Sequence, residues 1–212
     1  MVINLFLIQG EYENTIIIQK SEFICRIYRV NSIQEVNEKL NYIRKKHYDA
    51  THNCYAYILG ENQDIQKASD DGEPSKTAGA PMIDVLKKKG LTNILAIVTR
   101  YFGGILLGAG GLVRAYSSSV SECLKGVKIY VPKLQKKFIL TTSYSGYNTI
   151  LNTMNKININ NVSFQKDVII EGSTDIDYLE ELKDDLYKYK IEASSLTEVG
   201  NDIIETYVDT LV

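Results

Sequence analysis

Glycines and arginines are concentrated in residues 98–116 (VTRYFGGILLGAGGLVRAY), and both residue types could bind an anion. A β-rich run precedes the first glycines, and a predicted helix begins at the later ones. Glycine allows close approach to the backbone, and a helix N-terminus offers N–H groups and partial positive charge. Arg100 and Arg114 flank the turn and would place guanidinium groups near the anion. The glycines of this turn are Gly103, Gly104, Gly108, Gly110 and Gly111.

Two common nucleotide-binding motifs are absent from this turn. Gly103 and Gly108 have the spacing of a Walker loop, but Ala109 and Gly110 follow where Lys and Ser or Thr are required. A dinucleotide motif starting at Gly108 would need glycine where Val113 stands. The anion site therefore competes with a simpler interpretation, in which the glycines let a helix pack tightly on a sheet.

The polar stretch 69–81 (SDDGEPSKTAGAP) is a second candidate site. Its carboxylates, Asp70, Asp71 and Glu73, could hold Mg²⁺, although an exposed acidic turn gives the same pattern. Thr77 is predicted to cap a helix that begins near residue 80 and ends at residues 87–89.

Histidine and cysteine positions do not indicate a metal centre. His47 and His52 are five residues apart, which does not place them on one helical face, and Cys54 supplies no C-x-x-C pair. The three cysteines lie far apart, which argues against a disulfide framework and predicts reduced core residues. A packed or hydrogen-bonded histidine is the default interpretation, and His52 is also kept as a candidate binding residue.

Periodicity predicts how the first part of the chain positions these candidates. Ser32 and Glu35 form a capping box at the start of an amphipathic helix. The predicted strands are 15–20, 23–30, 55–59, 94–102 and 127–131, and the predicted helices begin near residues 33, 80 and 108. The long helix after the glycine turn has an apolar stripe that includes Tyr116 and ends at Gly126.

The second part of the chain has its own order of elements. Residues 132–137 are predicted to be a short polar connection between two domains, 1–132 and 133–212. The following segments predict strand, helix, two strands, helix and a final strand at 191–199. This βαββαβ order is typical of a ferredoxin-like fold, which serves many functions. No element is predicted for residues 200–212.

Composition is that of a globular protein with two differently charged parts. The 212 residues are 44% hydrophobic and 24% charged. Residues 1–135 carry 17 Lys and Arg against 13 Asp and Glu, a net charge of +4, whereas residues 136–212 carry 7 against 13, or −6. No apolar run reaches the roughly 18 residues that span a bilayer. We therefore expect a cytoplasmic protein with no membrane partner.

Three ordered segments closely resemble the IMPACT family, in particular its bacterial YigZ branch. They are DATHNCYAY at 49–57, DDGEPSKTAGAPM at 70–82 and ILAIVTRYFGGILLGAGGLVRAYS at 94–117. The resemblance implies an α+β fold with two domains. The first would be an α/β sandwich similar to a ribosomal-protein domain and to domain IV of elongation factor G, and the second would resemble domain V of that factor.

The resemblance also links the chain to translation. Eukaryotic relatives regulate translation by competing for the protein that activates a starvation-responsive kinase, whereas bacterial members carry no settled activity. Members often have glycine before Thr-Ala-Gly, and Lys76 stands there in this chain. A long cation at that place would either block close approach to the backbone or add a contact to phosphate.

Three functions follow as hypotheses. The favoured one is a translation-linked regulator that binds RNA, the ribosome or a translation-associated protein without catalysis, and needs no cofactor. A Mg²⁺-dependent enzyme or binder of a small phosphate-containing ligand is the second, and a protein-binding adaptor is the third. DNA is not predicted as a partner. The predicted binding residues are Arg100, Tyr101, Gly103, Gly104, Gly108, Gly110, Gly111, Arg114, Asp70, Asp71, Glu73, Lys76, Thr77 and His52.

Overall fold

The computed structural model describes residues 5–208, which form two compact units with mixed α/β structure. The first unit contains residues 5–131 and 206–208, and the second contains residues 132–205. The strands are β1 (Leu7–Ile8), β2 (Glu11–Ile18), β3 (Ser21–Arg29), β4 (His52–Leu59), β5 (Ile65–Ser69), β6 (Ile94–Tyr101), β7 (Ile129–Thr142), β8 (Ile157–Phe164), β9 (Val168–Asp175) and β10 (Ala193–Val208). The helices are α1 (Ile33–Lys46), α2 (Gly79–Lys88), α3 (Gly108–Leu124), α4 (Tyr144–Thr153) and α5 (Tyr178–Lys188).

The first unit is built on an antiparallel sheet with the strand order β2-β3-β6-β4-β5. Strand β6 lies in its centre, and its register sets His52 of β4 directly opposite Arg100. This pairing brings the start of β4 to the end of β6, where the glycine turn begins. The sheet therefore joins two of the candidate segments although they are far apart in sequence.

Both faces of this sheet are covered, so β6 is apolar on both sides. Ile94, Ala96 and Val98 contribute to the core under α2 and α3. The alternate residues Leu95 and Ile97 contribute to a second core that contains the buried face of α1. Because side chains alternate along a strand, a continuous apolar run is what a strand buried on both faces requires.

Ser32 is confirmed as the N-cap of α1, but the Glu35 carboxylate bonds the N–H before the N-cap and not that of Ser32, as a capping box would. The Ser32 hydroxyl accepts a hydrogen bond from the Glu35 N–H at 3.2 Å, and the Glu35 carboxylate accepts one from the Asn31 N–H. The predicted bounds of α2 and α3 are also confirmed within two residues. The short edge strand β5 was not predicted, because four of its five residues are exposed and the apolar signal is weak.

The second unit has the predicted order βαββαβ. Its strands β7, β9 and β8 pair antiparallel, and β10 pairs with β7. Buried side chains from the strands and from α4 and α5 form a separate core, with Phe138, Leu140, Ile150, Ile170 and Leu182 fully buried.

The predicted polar connection at 132–137 is wrong, because those residues lie within β7. Lys133 and Lys137 remain at the surface of the strand and pair with Asp175 and Asp202 at 2.6 and 3.0 Å. Acidic partners on neighbouring strands thus accommodate the basic residues without a loop.

The tail that lacked a predicted element continues β10 as far as Val208. Residues 206–208 join the first unit, which differs from the predicted second domain of 133–212. The Tyr207 ring lies 5.8 Å from that of Tyr130, and Val208 packs against the first core. Residues 209–212 lie outside the described residues.

Candidate functional site

The candidate segments of the first unit surround one cavity of about 380 Å³. The end of β6, the start of β4, the polar loop after β5 and the N-terminus of α3 all contribute to its wall. Most of the wall is apolar, with a few polar groups at one end. The lining residues are Thr51, His52, Gly72, Glu73, Pro74, Arg100, Phe102, Leu106, Leu107, Gly108, Ala109 and Leu112.

Arg100 is buried at the polar end of the cavity instead of facing a surface ligand. Its side chain is 6% exposed and donates a 2.6 Å hydrogen bond to the Glu73 carboxylate, which is 3% exposed. The guanidinium also contacts the Ser21 hydroxyl and lies over the ring of Phe23. The expectation that Arg100 is free to neutralise an anion is therefore wrong, because Glu73 already compensates its charge.

Tyr116 and Cys54 extend this buried network. The Tyr116 hydroxyl donates to the same Glu73 oxygen at 2.8 Å, and the Cys54 thiol lies 3.3 Å from that hydroxyl. Burial, followed by the nearby Cys54 and Glu73, raises the pKa of Tyr116 far above its usual value. Burial raises the pKa of the Cys54 thiol to about 12. Both groups therefore remain protonated at neutral pH and serve as hydrogen-bond donors.

From the sequence, Tyr116 is predicted only as part of an apolar stripe, and Cys54 has no predicted role in the site. The prediction that Tyr116 belongs to the buried face of the helix is confirmed, since its ring is fully buried. Its hydroxyl bond to a residue 43 positions away leaves no local sequence signal.

His52 lines the cavity with a fixed ring orientation. Its Nδ1 lies 2.8 Å from the Asp71 carbonyl oxygen, which can only accept, so Nδ1 carries the proton. The Nε2 atom lies 3.8 Å from the Glu73 carboxylate, beyond hydrogen-bond distance. His52 therefore presents Nε2 at the polar end of the cavity.

Asp70 caps the N-terminus of α2, the role that was predicted for Thr77. Its carboxylate accepts hydrogen bonds from the N–H groups of Lys76, Ala78 and Gly79 at 2.8 to 3.0 Å. Thr77 instead donates to the Pro74 carbonyl within the loop. Burial opposes ionisation of Asp70, but the three backbone donors outweigh it and hold the pKa of Asp70 below its usual value.

We expect Asp70→Asn to destabilise the first unit by about 1–2 kcal/mol at pH 7, because an amide cannot accept from all three donors. A lowered folded-state pKa contributes stability above the unfolded value near 4 and loses it as pH falls through the folded value. The difference between wild type and variant should therefore shrink below about pH 4. Urea unfolding from pH 7 to pH 3 measures this difference in the free energy of unfolding. Asp84→Asn, an exposed change on the same helix, should have little effect, and a constant difference across pH would contradict the capping role.

Lys76 occupies a left-handed backbone position with a φ of +63°. Its side chain is exposed and its N–H donates to Asp70. Glycine adopts this conformation without steric cost, which gives a physical reason why glycine suits the position. The exposed cation does not block the cavity, since Lys76 is absent from its lining.

The glycine turn is closed at its start and open over the rest. The Gly103 N–H donates to the Ser21 hydroxyl, and a Cβ at Gly103 would lie only 2.0 Å from the Lys20 carbonyl carbon. Gly104 and Gly108 have φ values of +81° and +69° and have open space around them. Packing thus explains Gly103, whereas turn conformation explains the other two.

The N-terminus of α3 has no side-chain cap. In the part of the chain that the structure describes, the N–H groups of Gly108, Ala109 and Gly110 have no hydrogen-bond partner. The first turn of α3 contains no acidic residue, and Arg114 is exposed one turn further along. The amides of Gly108, Ala109 and Gly110 are therefore unpaired within the described residues, whereas that of Gly103 is bonded to Ser21.

Tyr101 follows Arg100 at the same end of β6, but its side chain lies on the opposite face of the sheet, because side chains alternate along a strand. Its hydroxyl contacts His47 Nδ1 at 2.9 Å and donates to the Asp49 carboxylate at 3.1 Å. It is not among the cavity-lining residues, so the structure does not bring Tyr101 to the same site as Arg100.

The acidic loop is engaged in internal contacts. Asp71 accepts a 2.7 Å hydrogen bond from the Asn53 N–H, and Asp70 and Glu73 have the partners described above. Within residues 5–208, no group of three or more His, Cys, Asp and Glu side chains is arranged to hold a metal ion. The Mg²⁺ hypothesis would require these carboxylates to give up their present bonds.

Comparison with known proteins places the chain in a family. The Impact N-terminal domain matches residues 19–124, the segment that contains the whole cavity. The chain belongs to the IMPACT family. It is 49% identical to the IMPACT family member YvyE of Bacillus subtilis over 154 residues, which cover 73% of this chain and 71% of that relative.

Other IMPACT relatives match a smaller part. The IMPACT family member YigZ of Escherichia coli is 43% identical over 110 residues, which cover 51% of this chain and 54% of that relative. A crystal structure described as a hypothetical protein is 28% identical, with a TM-score of 0.59 over 92% of this chain and 96% of that one. It supports the two-unit α/β fold.

Among residues 5–208, no helix combines the length and the apolar character that crossing a bilayer requires.

Proposed function

We propose that this chain is a translation-linked regulatory protein that acts by binding a component of the translation machinery, without chemistry of its own. IMPACT family membership supports the link to translation, since eukaryotic relatives regulate that process. The finer assignment of the two units to domains IV and V of elongation factor G belongs to the same proposal. Binding is favoured over catalysis because the polar side chains of the site are mostly engaged with one another.

The observation that carries the proposal is the exposed apolar surface of the glycine turn. Leu106 is 85% exposed, and Phe102 and Ile105 are 45% and 41% exposed. Large apolar side chains grouped on one turn commonly mark an interaction surface. Their position beside unpaired backbone N–H groups gives the turn both apolar and polar contacts to offer.

A protein surface of the ribosome fits this turn better than naked RNA. RNA binding needs cations for phosphate and aromatic rings for bases. Arg100 is buried with Glu73, the Tyr101 hydroxyl is engaged with His47 and Asp49, and Arg114 remains exposed. Arg114 and the exposed Lys76 are two cations, which give little phosphate neutralisation. An adaptor that presents the acidic loop to a basic partner is less favoured, because the carboxylates of Asp70, Asp71 and Glu73 are used internally.

Co-sedimentation with purified ribosomes and ribosomal subunits tests this proposal. We expect the wild-type protein to sediment with one of them and Leu106→Glu to lower its association at least tenfold. Leu151→Glu is the matched control, because Leu151 is 54% exposed in the second unit and the same charge is introduced. Absence of wild-type association, or equal association of Leu106→Glu, would contradict the proposal. Binding that weakens steeply with salt and depends on Arg114 would assign the contact to RNA instead.

A further inference from the structure

The cavity of the first unit has the size and lining of a small-molecule site. Its volume of about 380 Å³ lies in the range of ligand pockets, roughly 300–1,000 Å³. Pro74, Phe102, Leu106, Leu107 and Leu112 form an apolar wall. Such a wall binds the carbon body of a ligand, and the few polar groups orient it.

Unpaired N–H groups meet this apolar wall at the start of α3. Gly108 and Ala109 line the cavity, and their N–H groups lack partners among residues 5–208. The unpaired amides and the helix dipole favour a negative group there. The space is open, since nothing lies within 4 Å of a Cβ built at Gly108.

A buried arginine provides a second, independent indication of a ligand. Arg100 lines the cavity with only 5% of its surface exposed, and its Nε is a buried polar atom with no hydrogen-bond partner in the described part of the chain. Because Glu73 already compensates the guanidinium charge, this end of the cavity is polar without a strong net charge. His52 Nε2 lies at the same end.

We propose that this cavity binds a small organic anion, namely an apolar or aromatic body that carries one phosphate or carboxylate group. The negative group binds the N–H groups of Gly108 and Ala109, and the apolar body packs between Phe102 and Leu112. Polar substituents on the body reach His52 and Arg100. This site goes beyond the proposed function because its occupant is a small molecule, although it shares Phe102, Leu106 and the start of α3 with the turn that contacts a partner.

NMR titration of the ¹⁵N-labelled full chain with four probes tests the proposal. Phenyl phosphate and benzoate carry the two anionic groups, inorganic phosphate lacks the apolar body, and benzyl alcohol lacks the charge. We expect saturable shifts of the Gly108 and Ala109 amide signals with at least one aromatic anion. Its affinity should exceed those of inorganic phosphate and of benzyl alcohol at least tenfold, and comparison of the two aromatic anions identifies the preferred group.

Ala109→Glu is the decisive variant. Residue 109 is exposed in the first turn of α3, where a carboxylate favours the helix but repels an anionic ligand. We expect affinity for the aromatic anion to fall at least tenfold with no loss of folding. Ser118→Glu adds the same charge at an exposed position further along α3 and should bind like the wild type. The proposal is overturned if neither aromatic anion shifts these amides, if inorganic phosphate or benzyl alcohol binds as well, or if Ala109→Glu binds equally.

Discussion

Replacing Glu73 by alanine is expected to destabilise the first unit by about 3–5 kcal/mol, because it leaves the buried Arg100 cation without its counter-charge. The side chains of the pair are 3% and 6% exposed, so water cannot solvate the remaining guanidinium. The Tyr116 hydroxyl loses its acceptor in the same variant. Breaking an exposed ion pair would cost at most about 1 kcal/mol, so a larger loss of stability would indicate that the pair is buried.

A double-mutant cycle separates the charge from the packing. Glu73→Gln keeps an oxygen near Tyr116 and Arg100 but removes the charge, so it should destabilise less than alanine. Arg100→Met leaves an uncompensated carboxylate and should also be strongly destabilising. Glu73→Leu alone leaves the Arg100 cation uncompensated. Combined with Arg100→Met it removes both charges, and the double change should cost much less than the sum of Glu73→Leu and Arg100→Met.

Urea unfolding together with hydrogen exchange of the β6 amides measures these changes in the first unit. The exchange data are needed because the second unit has its own core and can unfold separately. Additive single and double changes, or a loss below 1 kcal/mol for Glu73→Ala, would contradict the buried pair.

The burial of Arg100 could have been predicted from strand alternation. Ile94, Ala96, Val98 and Arg100 share one face of β6, and the first three belong to the core under α2 and α3. An arginine at the end of that apolar series points the same way. Its partner could not be predicted, because Glu73 lies 27 residues away in a loop whose path depends on Asp70 and Asn53.

Sequence patterns within a single element predicted the helices better than they predicted the segments between elements. The N-cap at Ser32 and the apolar stripe of α3 are set by contacts within one element, so the sequence contains them. Whether residues 132–137 form a strand or a loop depends on their acidic partners Asp175 and Asp202, which lie on other strands. The open N-terminus of α3 was predictable from its glycines, whereas the cavity beside it requires the pairing of β4 with β6.

Gly103→Ala is expected to destabilise the first unit by at least about 2–3 kcal/mol, because a methyl group there overlaps backbone. The added Cβ would lie 2.0 Å from the carbonyl carbon of Lys20 and 2.4 Å from the Ser21 nitrogen. These atoms belong to the turn between β2 and β3, which cannot move away as a flexible side chain can. The shift would also disturb the Ser21 hydroxyl, which binds both the Gly103 N–H and Arg100.

Gly110→Ala is the matched control within the same turn. Only the end of the Arg114 side chain, at 3.8 Å, lies near a Cβ built there, and Gly110 has no positive φ. Alanine should therefore stabilise the start of α3 by about 0.5–1 kcal/mol through its higher helix propensity. Urea unfolding of both variants, with hydrogen exchange in β3, measures the contrast. Equal stability of Gly103→Ala and wild type would mean that the turn can yield, and that Gly103 is not required for close packing.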